Sequence, residues 1–236
     1  SKGPNMGGLS KKHVVQACEA SLGRLGVSTI DLYQIHRFDP AVPLDETLGA
    51  LDLLVKQGKV RFIGASSGPA FRFAKALALS DTRGFARFAS MQNHYNLLYR
   101  EEEREMLPLC AEEGIGVLPW SPLARGLLAG TRASAKDAAT TTRGATDDYT
   151  GKLYDSPSDE DVIAAVRKVA QERACPPAAV ALAWLLSRPG VTAPIVGATK
   201  LEHLETALSA LDVSLTEEEI GALEAPYRPH AVRGFR

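Results

Sequence analysis

Short apolar segments alternate with amphipathic helices along most of this chain, and each apolar segment ends in polar residues. One such segment and its following helix take roughly 25–30 residues, the length of a single βα unit. This alternation predicts a parallel sheet with helices packed outside it. We predict strands at residues 30–36, 60–66, 85–92, 116–121 and 191–197.

The fold that builds one site from many strand ends is the (β/α)8 TIM barrel, because the carboxyl ends of its parallel strands all meet at one face. That barrel has eight strands, and this chain supplies five. We therefore expect an α/β fold with about five of the eight βα units, forming one partial barrel domain over residues 1–236. Five strands leave two open edges, because they cannot satisfy strand number, shear and tilt together.

The helices are predicted from apolar spacing and from capping residues. Ser10 is an expected N-cap and Gly26 an expected stop, and Ser158 is an expected cap for a later helix. A loop is expected at residues 130–157, which lack an apolar period; a loop this long is typically a lid or a disordered segment. The remaining helices are predicted over residues 44–57, 70–79, 101–113, 158–172, 176–187, 201–211 and 216–223.

Composition excludes several classes of protein. The 236 residues carry a net charge of −1, so no overall field attracts nucleic acid or an anionic membrane. No apolar run approaches the ~20 residues of a membrane span. The three cysteines lack metal-ligand spacing, so we expect no metal site and a reducing, cytoplasmic setting. The chain opens without methionine in a loop-like stretch, and we expect further residues before it.

Five motifs in the same order carry a resemblance to a known family. They read DLYQIH at 31–36, GKVRFIGAS at 58–66, QNHYNLL at 92–98, PWSPLARG at 119–126 and PIVGATK at 194–200. With these, the whole chain resembles the aldo-keto reductases, nicotinamide-dependent enzymes with a β/α barrel. It is similar to the branch that includes bacterial aldehyde reductases and potassium-channel β-subunit-like proteins. Three βα units precede these motifs in the family, so the five strands would be the fourth to the eighth.

His36 ends the first predicted strand on the same face as Leu32 and Gln34. A histidine here is explained as readily by a hydrogen bond to a neighbouring loop as by catalysis. The resemblance implies the catalytic role, in which the imidazole hydrogen-bonds the substrate carbonyl oxygen and stabilises its developing negative charge. The family's tyrosine acid, and the lysine and aspartate that tune its pKa, belong to the first three units and are not assigned.

The resemblance also implies a site for the nicotinamide. Ser66, Ser67 and Gln92 end two successive strands, and they offer the donors and acceptors that a carboxamide needs. Ser67 is the less constrained of the three, because many relatives carry Asn or Arg there. Trp120 matches the aromatic residue on which the family stacks the nicotinamide ring. Loop capping and core packing are the alternative roles for these side chains.

The phosphates would be held without a GxGxxG loop, which this chain lacks. By resemblance, the pyrophosphate meets the segment after the fourth strand, and the 2′-phosphate of NADP meets a helix start after the last strand. His203 stands where many relatives have Arg or Gln, which weakens the predicted preference for NADP over NAD. The implied contacts are Ser121, Pro122, Leu123, Arg125, Gly197, Thr199, Lys200 and His203, with Arg143 either a further contact or solvated.

The resemblance therefore implies NADPH-dependent reduction of aldehydes or ketones by the intact parent protein, with a small carbonyl compound as substrate. Homo-oligomerisation is left open. This chain alone is expected to be a poor enzyme, because it lacks the acid. A nicotinamide-nucleotide sensor with little turnover is the first alternative, and a barrel acting on a phosphorylated substrate is the second.

Overall fold

The computed structural model describes residues 7–130 and 150–233. Within these ranges four strands form one sheet in the order β1-β2-β3-β4, and the β1–β2 and β2–β3 pairs are parallel. The α/β class and the parallel sheet are thus confirmed, while closure of a barrel stays a prediction. The strands are β1 (Ile30–Gln34), β2 (Val60–Ser66), β3 (Phe88–Gln92) and β4 (Gly116–Val117).

The register of these strands aligns the residues that matter below. Gln34 at the end of β1 pairs with Gly64 of β2. Two residues further along β2, Ser66 pairs with Gln92 at the end of β3. The carboxyl ends of the three strands therefore lie side by side, as a parallel sheet requires.

The prediction of a fifth strand at residues 191–197 is wrong for the described structure. Only Val191 forms a bridge, to Val117, although Ile195 N also donates to Pro119 O at 2.8 Å. The physical reason is proline, which has no N–H to donate to a ladder. Pro119 ends β4 earlier than predicted, and Pro194 interrupts the facing segment.

The helices fall close to their predicted positions. Ser10 Oγ accepts from His13 N at 3.4 Å, and Gly26 takes φ 67° at the C-cap, so both predicted caps of the first helix are confirmed. Ser158 is the N-cap residue of the helix at residues 159–172, as predicted, although its side chain makes no capping hydrogen bond. The helices are α1 (Lys11–Leu25), α2 (Leu44–Lys56), α3 (Ala70–Arg83), α4 (Met106–Glu112), α5 (Thr150–Leu153), α6 (Asp159–Glu172), α7 (Pro177–Leu186), α8 (Leu201–Ser209) and α9 (Glu217–Glu224).

The predicted helix at 101–113 is divided. A 3-10 turn covers Glu101–Glu103, and α4 begins only at Met106. Pro108 explains the break, because its ring would clash with the preceding turn of a continuous helix, and it is tolerated within the first turn of α4. The interruption lets Glu101 and Glu102 turn into the protein, where both are buried.

The described chain divides into two compact units, and the prediction of a single domain stays a prediction. The first unit comprises residues 7–92 and 108–116, and its core includes the fully buried Leu48, Leu51 and Leu54 of α2. The second unit comprises residues 93–107, 117–130 and 150–233. Its core is built around buried aromatic rings, among them Tyr95, Tyr154 and Trp184.

Candidate functional site

Ser66, Ser67 and Gln92 come together in the first unit, at the ends of β2 and β3. Ser66 Oγ donates to the Gln92 carbonyl oxygen at 3.0 Å, and Ser67 N donates to the same oxygen at 3.0 Å. Both serines are buried. Ser67 takes φ 24°, a left-handed conformation that turns the chain at the strand end. The two hydroxyls are thus fixed beside Gln92, and a hydroxyl that donates can still accept.

Gln34 joins this cluster although only its strand face was predicted. Its Nε2 donates to Gln92 Oε1 at 3.0 Å. The signal was present in the sequence, because Gln34 and His36 share one strand face. What the sequence could not supply was the register, which pairs Gln34 with Gly64 and Gly64 with Ser90, two residues before Gln92.

His36 lies two residues beyond β1 and is exposed. The side chain lines a cavity of about 500 Å³ whose other polar lining residues include His13 and Asp39. Arg37 Nη1 donates to the His36 carbonyl oxygen at 2.5 Å and to Ser66 Oγ at 3.3 Å. A cationic side chain that sequence reasoning did not assign therefore connects the loop of His36 to the serine cluster.

Tyr33, which adjoins Gln34 on β1, is unsuited to be a catalytic acid. Its hydroxyl donates to the Val14 carbonyl oxygen at 3.3 Å, and burial raises the pKa of Tyr33 to about 12. A hydroxyl committed to α1 in this way holds the helix against the strand.

Trp120 belongs to a stack of three rings in the second unit. Its indole lies 4.2 Å from the His94 ring at an interplanar angle of 13°, and His94 lies 4.2 Å from Tyr99 at 12°. His94 Nε2 and Tyr154 Oη are 2.6 Å apart. Burial lowers the pKa of His94 to about 3, so the imidazole is neutral at physiological pH. Trp120 is half-buried and stacked against His94, unlike Trp184, which is fully buried in the core.

Hydrogen bonds connect the backbone of Trp120 to Asn93, and Asn93 to Glu102. Its N–H donates to the Asn93 carbonyl oxygen at 2.7 Å, and Asn93 Nδ2 donates to Glu102 Oε2 at 2.8 Å. Burial raises the pKa of Glu102 to about 8, so its carboxyl is predominantly protonated near pH 7. Three successive glutamates at the start of a predicted helix are ordinarily solvated, whereas Glu102 is buried.

The segment after Trp120 has an unusual backbone. Ser121, Ala124 and Arg125 have φ angles of 52°, 46° and 57°, and Asn96 Nδ2 donates to the Ser121 carbonyl oxygen at 2.9 Å. Arg125 Nε donates to Thr150 Oγ1 at 3.2 Å. Two N–H groups are used within this turn: Ala124 N donates to the Ser121 carbonyl oxygen and Gly126 N to the Leu123 carbonyl oxygen, both at 2.9 Å. Pro122 has no N–H, so any part it plays is through packing.

The predicted contacts around the start of α8 are exposed. Thr199 Oγ1 lies 3.4 Å from His203 Nδ1, and Lys200 Nζ pairs with Glu202 at 3.2 Å. A Cβ added at Gly197 would meet no described atom within 4 Å, so the structure gives no reason for glycine there. The phosphate role of these residues stays a prediction. Arg143 lies outside the described residues.

The comparisons with known proteins decide the family. The model of the aldo/keto reductase family matches residues 1–228. The chain belongs to the aldo/keto reductase family. It is 45% identical over 232 residues to an aldo-keto reductase of Fusarium vanettenii, and 43% identical over 230 residues to a putative aryl-alcohol dehydrogenase of Schizosaccharomyces pombe. It is 42% identical over 231 residues to the versiconal hemiacetal acetate reductase of Aspergillus parasiticus.

These alignments cover 97–98% of this chain and 61–66% of the length of the three relatives. All three are fungal, and the predicted bacterial or channel-like branch stays a prediction. Within residues 7–130 and 150–233, no cluster of His, Cys, Asp and Glu is arranged to bind a metal ion. In the same ranges, no helix combines the length and the apolar character needed to span a membrane.

Proposed function

We propose that the protein transfers hydride from NADPH to an aldehyde or ketone and so reduces it to an alcohol. The observation that carries this proposal is the cluster of Ser66, Ser67 and Gln92 at adjacent strand ends, in a chain of the aldo/keto reductase family. NADPH would supply the hydride when bound. The residues of the chain would bind it, orient it and stabilise charge on the carbonyl compound.

The described residues fit a nicotinamide. Ser66 and Ser67 each place an acceptor oxygen beside Gln92, which supports a role for these three in binding the carboxamide. Trp120 is held flat by His94, and with His94 on one face the nicotinamide ring would stack on the other. His36 would donate to the carbonyl oxygen, where negative charge develops as hydride arrives.

The phosphates would be held mainly by charge. By resemblance the pyrophosphate would meet Ser121 and Arg125, and the Arg125 guanidinium can bond phosphate oxygens. The 2′-phosphate would meet Thr199 and Lys200, with His203 close by. Leu123, Pro122, Gly197 and Arg143 complete the proposed set by resemblance, and NADP is the proposed cofactor over NAD.

An aromatic aldehyde is the first substrate class to test, because a relative 43% identical to this chain is named a putative aryl-alcohol dehydrogenase. The three free cysteines agree with a reducing, cytoplasmic setting for an NADPH-dependent reductase. The proposal is tested by following NADPH absorbance with benzaldehyde and with an aliphatic aldehyde, alongside calorimetric titration of NADPH alone. Binding without oxidation by any aldehyde would favour the sensor instead.

Replacing Trp120 by leucine is expected to weaken NADPH binding about three- to tenfold, because a ring-stacking contact contributes about 0.5–1.5 kcal/mol. Calorimetric titration measures the change. Trp184→Phe is the matched control: it alters a buried tryptophan of the same unit and should lower stability without changing NADPH affinity. Equal affinities for Trp120→Leu and wild type would remove Trp120 from the proposed site.

A further inference from the structure

Gln34 reaches Gln92 across a strand that lies between them. The two amides meet at 3.0 Å, although β1 and β3 are separated by β2. Gly64 makes this possible. A Cβ at Gly64 would lie 2.8 Å from Gln34 Cγ and 2.6 Å from Ser90 Oγ, so any larger residue would obstruct the crossing. The glycine therefore opens a path over β2 for one side chain.

The contact fixes which end of the Gln92 amide is available to a ligand. Gln34 Nε2 donates to Gln92 Oε1, so the oxygen of Gln92 is turned toward β1. Because the amide is planar, its NH₂ group is directed away from Gln34. An amide held this way is a donor, and the carboxamide of a nicotinamide offers it a carbonyl oxygen.

Gln34 carries a destabilising feature, a buried oxygen without a hydrogen-bond partner in the described part of the chain, which indicates that its role is more than packing. Gln34 Oε1 is buried and meets no hydrogen-bond partner among the described residues, and Ser90 Oγ across Gly64 is in the same state. A buried polar atom without a partner destabilises a fold, and replacing it by an apolar group of similar shape is often neutral or stabilising. A leucine would remove this unpartnered oxygen and also the hydrogen bond to Gln92, two changes of similar size and opposite sign, so stability alone does not explain the glutamine.

We propose that Gln34 is a positioning residue, which acts through Gln92 by holding its side-chain amide as a donor to the carboxamide oxygen of the nicotinamide. This inference rests on the proposed function. It adds to the proposed site a residue that does not contact the cofactor. It also explains Gly64, which leaves the space that the Gln34 side chain needs to cross β2.

The test compares two probes on the full native chain. NADPH carries the nicotinamide, whereas adenosine 2′,5′-bisphosphate lacks it and reports only on the adenine end. Gln34→Leu is expected to raise the Kd for NADPH about three- to tenfold, the usual range for loss of one hydrogen bond, and to leave the Kd for the bisphosphate within twofold of wild type. Its thermal midpoint should stay close to that of wild type, because the lost hydrogen bond and the removed unpartnered oxygen offset one another.

Two further variants sharpen the result. Gln34→Met keeps the length of the side chain but not its donor, and it should weaken NADPH binding as Gln34→Leu does. It provides the measurement if Gln34→Leu folds poorly. Gln171→Leu, at an exposed glutamine of α6, is the matched control and should change neither Kd. In a double-mutant cycle, Gln34→Leu should add little to Gln92→Leu, because Gln34 acts only by positioning the Gln92 amide, which Gln92→Leu has already removed.

The inference is overturned if Gln34→Leu and Gln34→Met bind NADPH as wild type does. It is also overturned if both probes weaken equally, since that outcome describes a structural role. The proposed function fails in a different way, visible in the wild type alone: NADPH would bind no more tightly than adenosine 2′,5′-bisphosphate.

Discussion

Replacing His36 by alanine is expected to lower kcat/KM for aldehyde reduction about 10²–10³-fold, the usual loss when one hydrogen-bond donor to a developing oxyanion is removed. The imidazole lies just past the end of β1 and lines the cavity of the first unit, so a carbonyl oxygen could reach it. Steady-state kinetics with NADPH and an aromatic aldehyde on the full native chain measure the change. The loss should lie mainly in kcat, because the contact strengthens in the transition state.

His13 provides the control for His36. It lines the same cavity from α1, and only its backbone N–H is hydrogen-bonded to Ser10. His13→Ala should leave kcat/KM within about twofold, since a side chain outside the reaction adds no transition-state contact. Neither variant should change the Kd for NADPH. Equal losses in both variants would assign the effect to the shape of the cavity and would remove His36 from catalysis.

The sequence predicted most of the helices and strands because local patterns of apolar and capping residues determine where they begin and end. Ser10 and Gly26 bound α1 through capping chemistry that needs no distant partner. Leu48, Leu51 and Leu54 of α2 follow helical spacing, and all three are buried. The prediction failed where a strand depended on pairing with a second strand. The apolar segment from Val191 has the composition of a strand, but Pro119 and Pro194 lack the N–H groups that continuous pairing needs.

The part of the candidate site that lies at strand ends was predicted from the sequence. Ser66, Ser67 and Gln92 were expected together, and they are together. The residues behind them were not expected, because their contacts depend on register and on glycine. Gln34 meets Gln92 only because Gly64 has no side chain, and no single-strand pattern reveals that.

In the second unit, the charge state of a glutamate likewise depends on contacts that the sequence alone does not reveal. Three successive glutamates at residues 101–103 resemble a solvated helix start, yet Glu102 is buried because Pro108 breaks the helix after it. Sequence alone assigns such a residue an ordinary pKa. Its environment raises that pKa to about 8, and the consequence can be measured.

Replacing Glu102 by glutamine is expected to flatten the dependence of stability on pH. In the folded protein the pKa of Glu102 is raised from 4.5 to about 8, so the native state holds a proton that the unfolded chain releases. The stability that this carboxyl contributes is therefore complete below about pH 4.5 and is lost as pH rises through about 8. At 1.36 kcal/mol per pKa unit, the loss across the window is roughly 3–5 kcal/mol.

The glutamine variant does not titrate and can still accept from Asn93, so it should match wild type near pH 5 and be the more stable protein at pH 9. Urea unfolding between these limits measures the difference, in which the other titrating groups cancel. Glu105→Gln, an exposed neighbour, is the control and should follow wild type throughout. Parallel curves for Glu102→Gln and wild type would mean that the native carboxyl is already charged at pH 5.

The same substitution connects stability to the candidate site. Glu102 binds Asn93, and Asn93 in turn accepts the backbone N–H of Trp120. Ionisation of Glu102 near pH 8 would therefore put a buried charge on the side chain bonded to Asn93, the residue that holds the backbone of Trp120. NADPH affinity of the wild type should fall between pH 7 and 9 while that of Glu102→Gln stays constant, because only the wild type gains the buried charge.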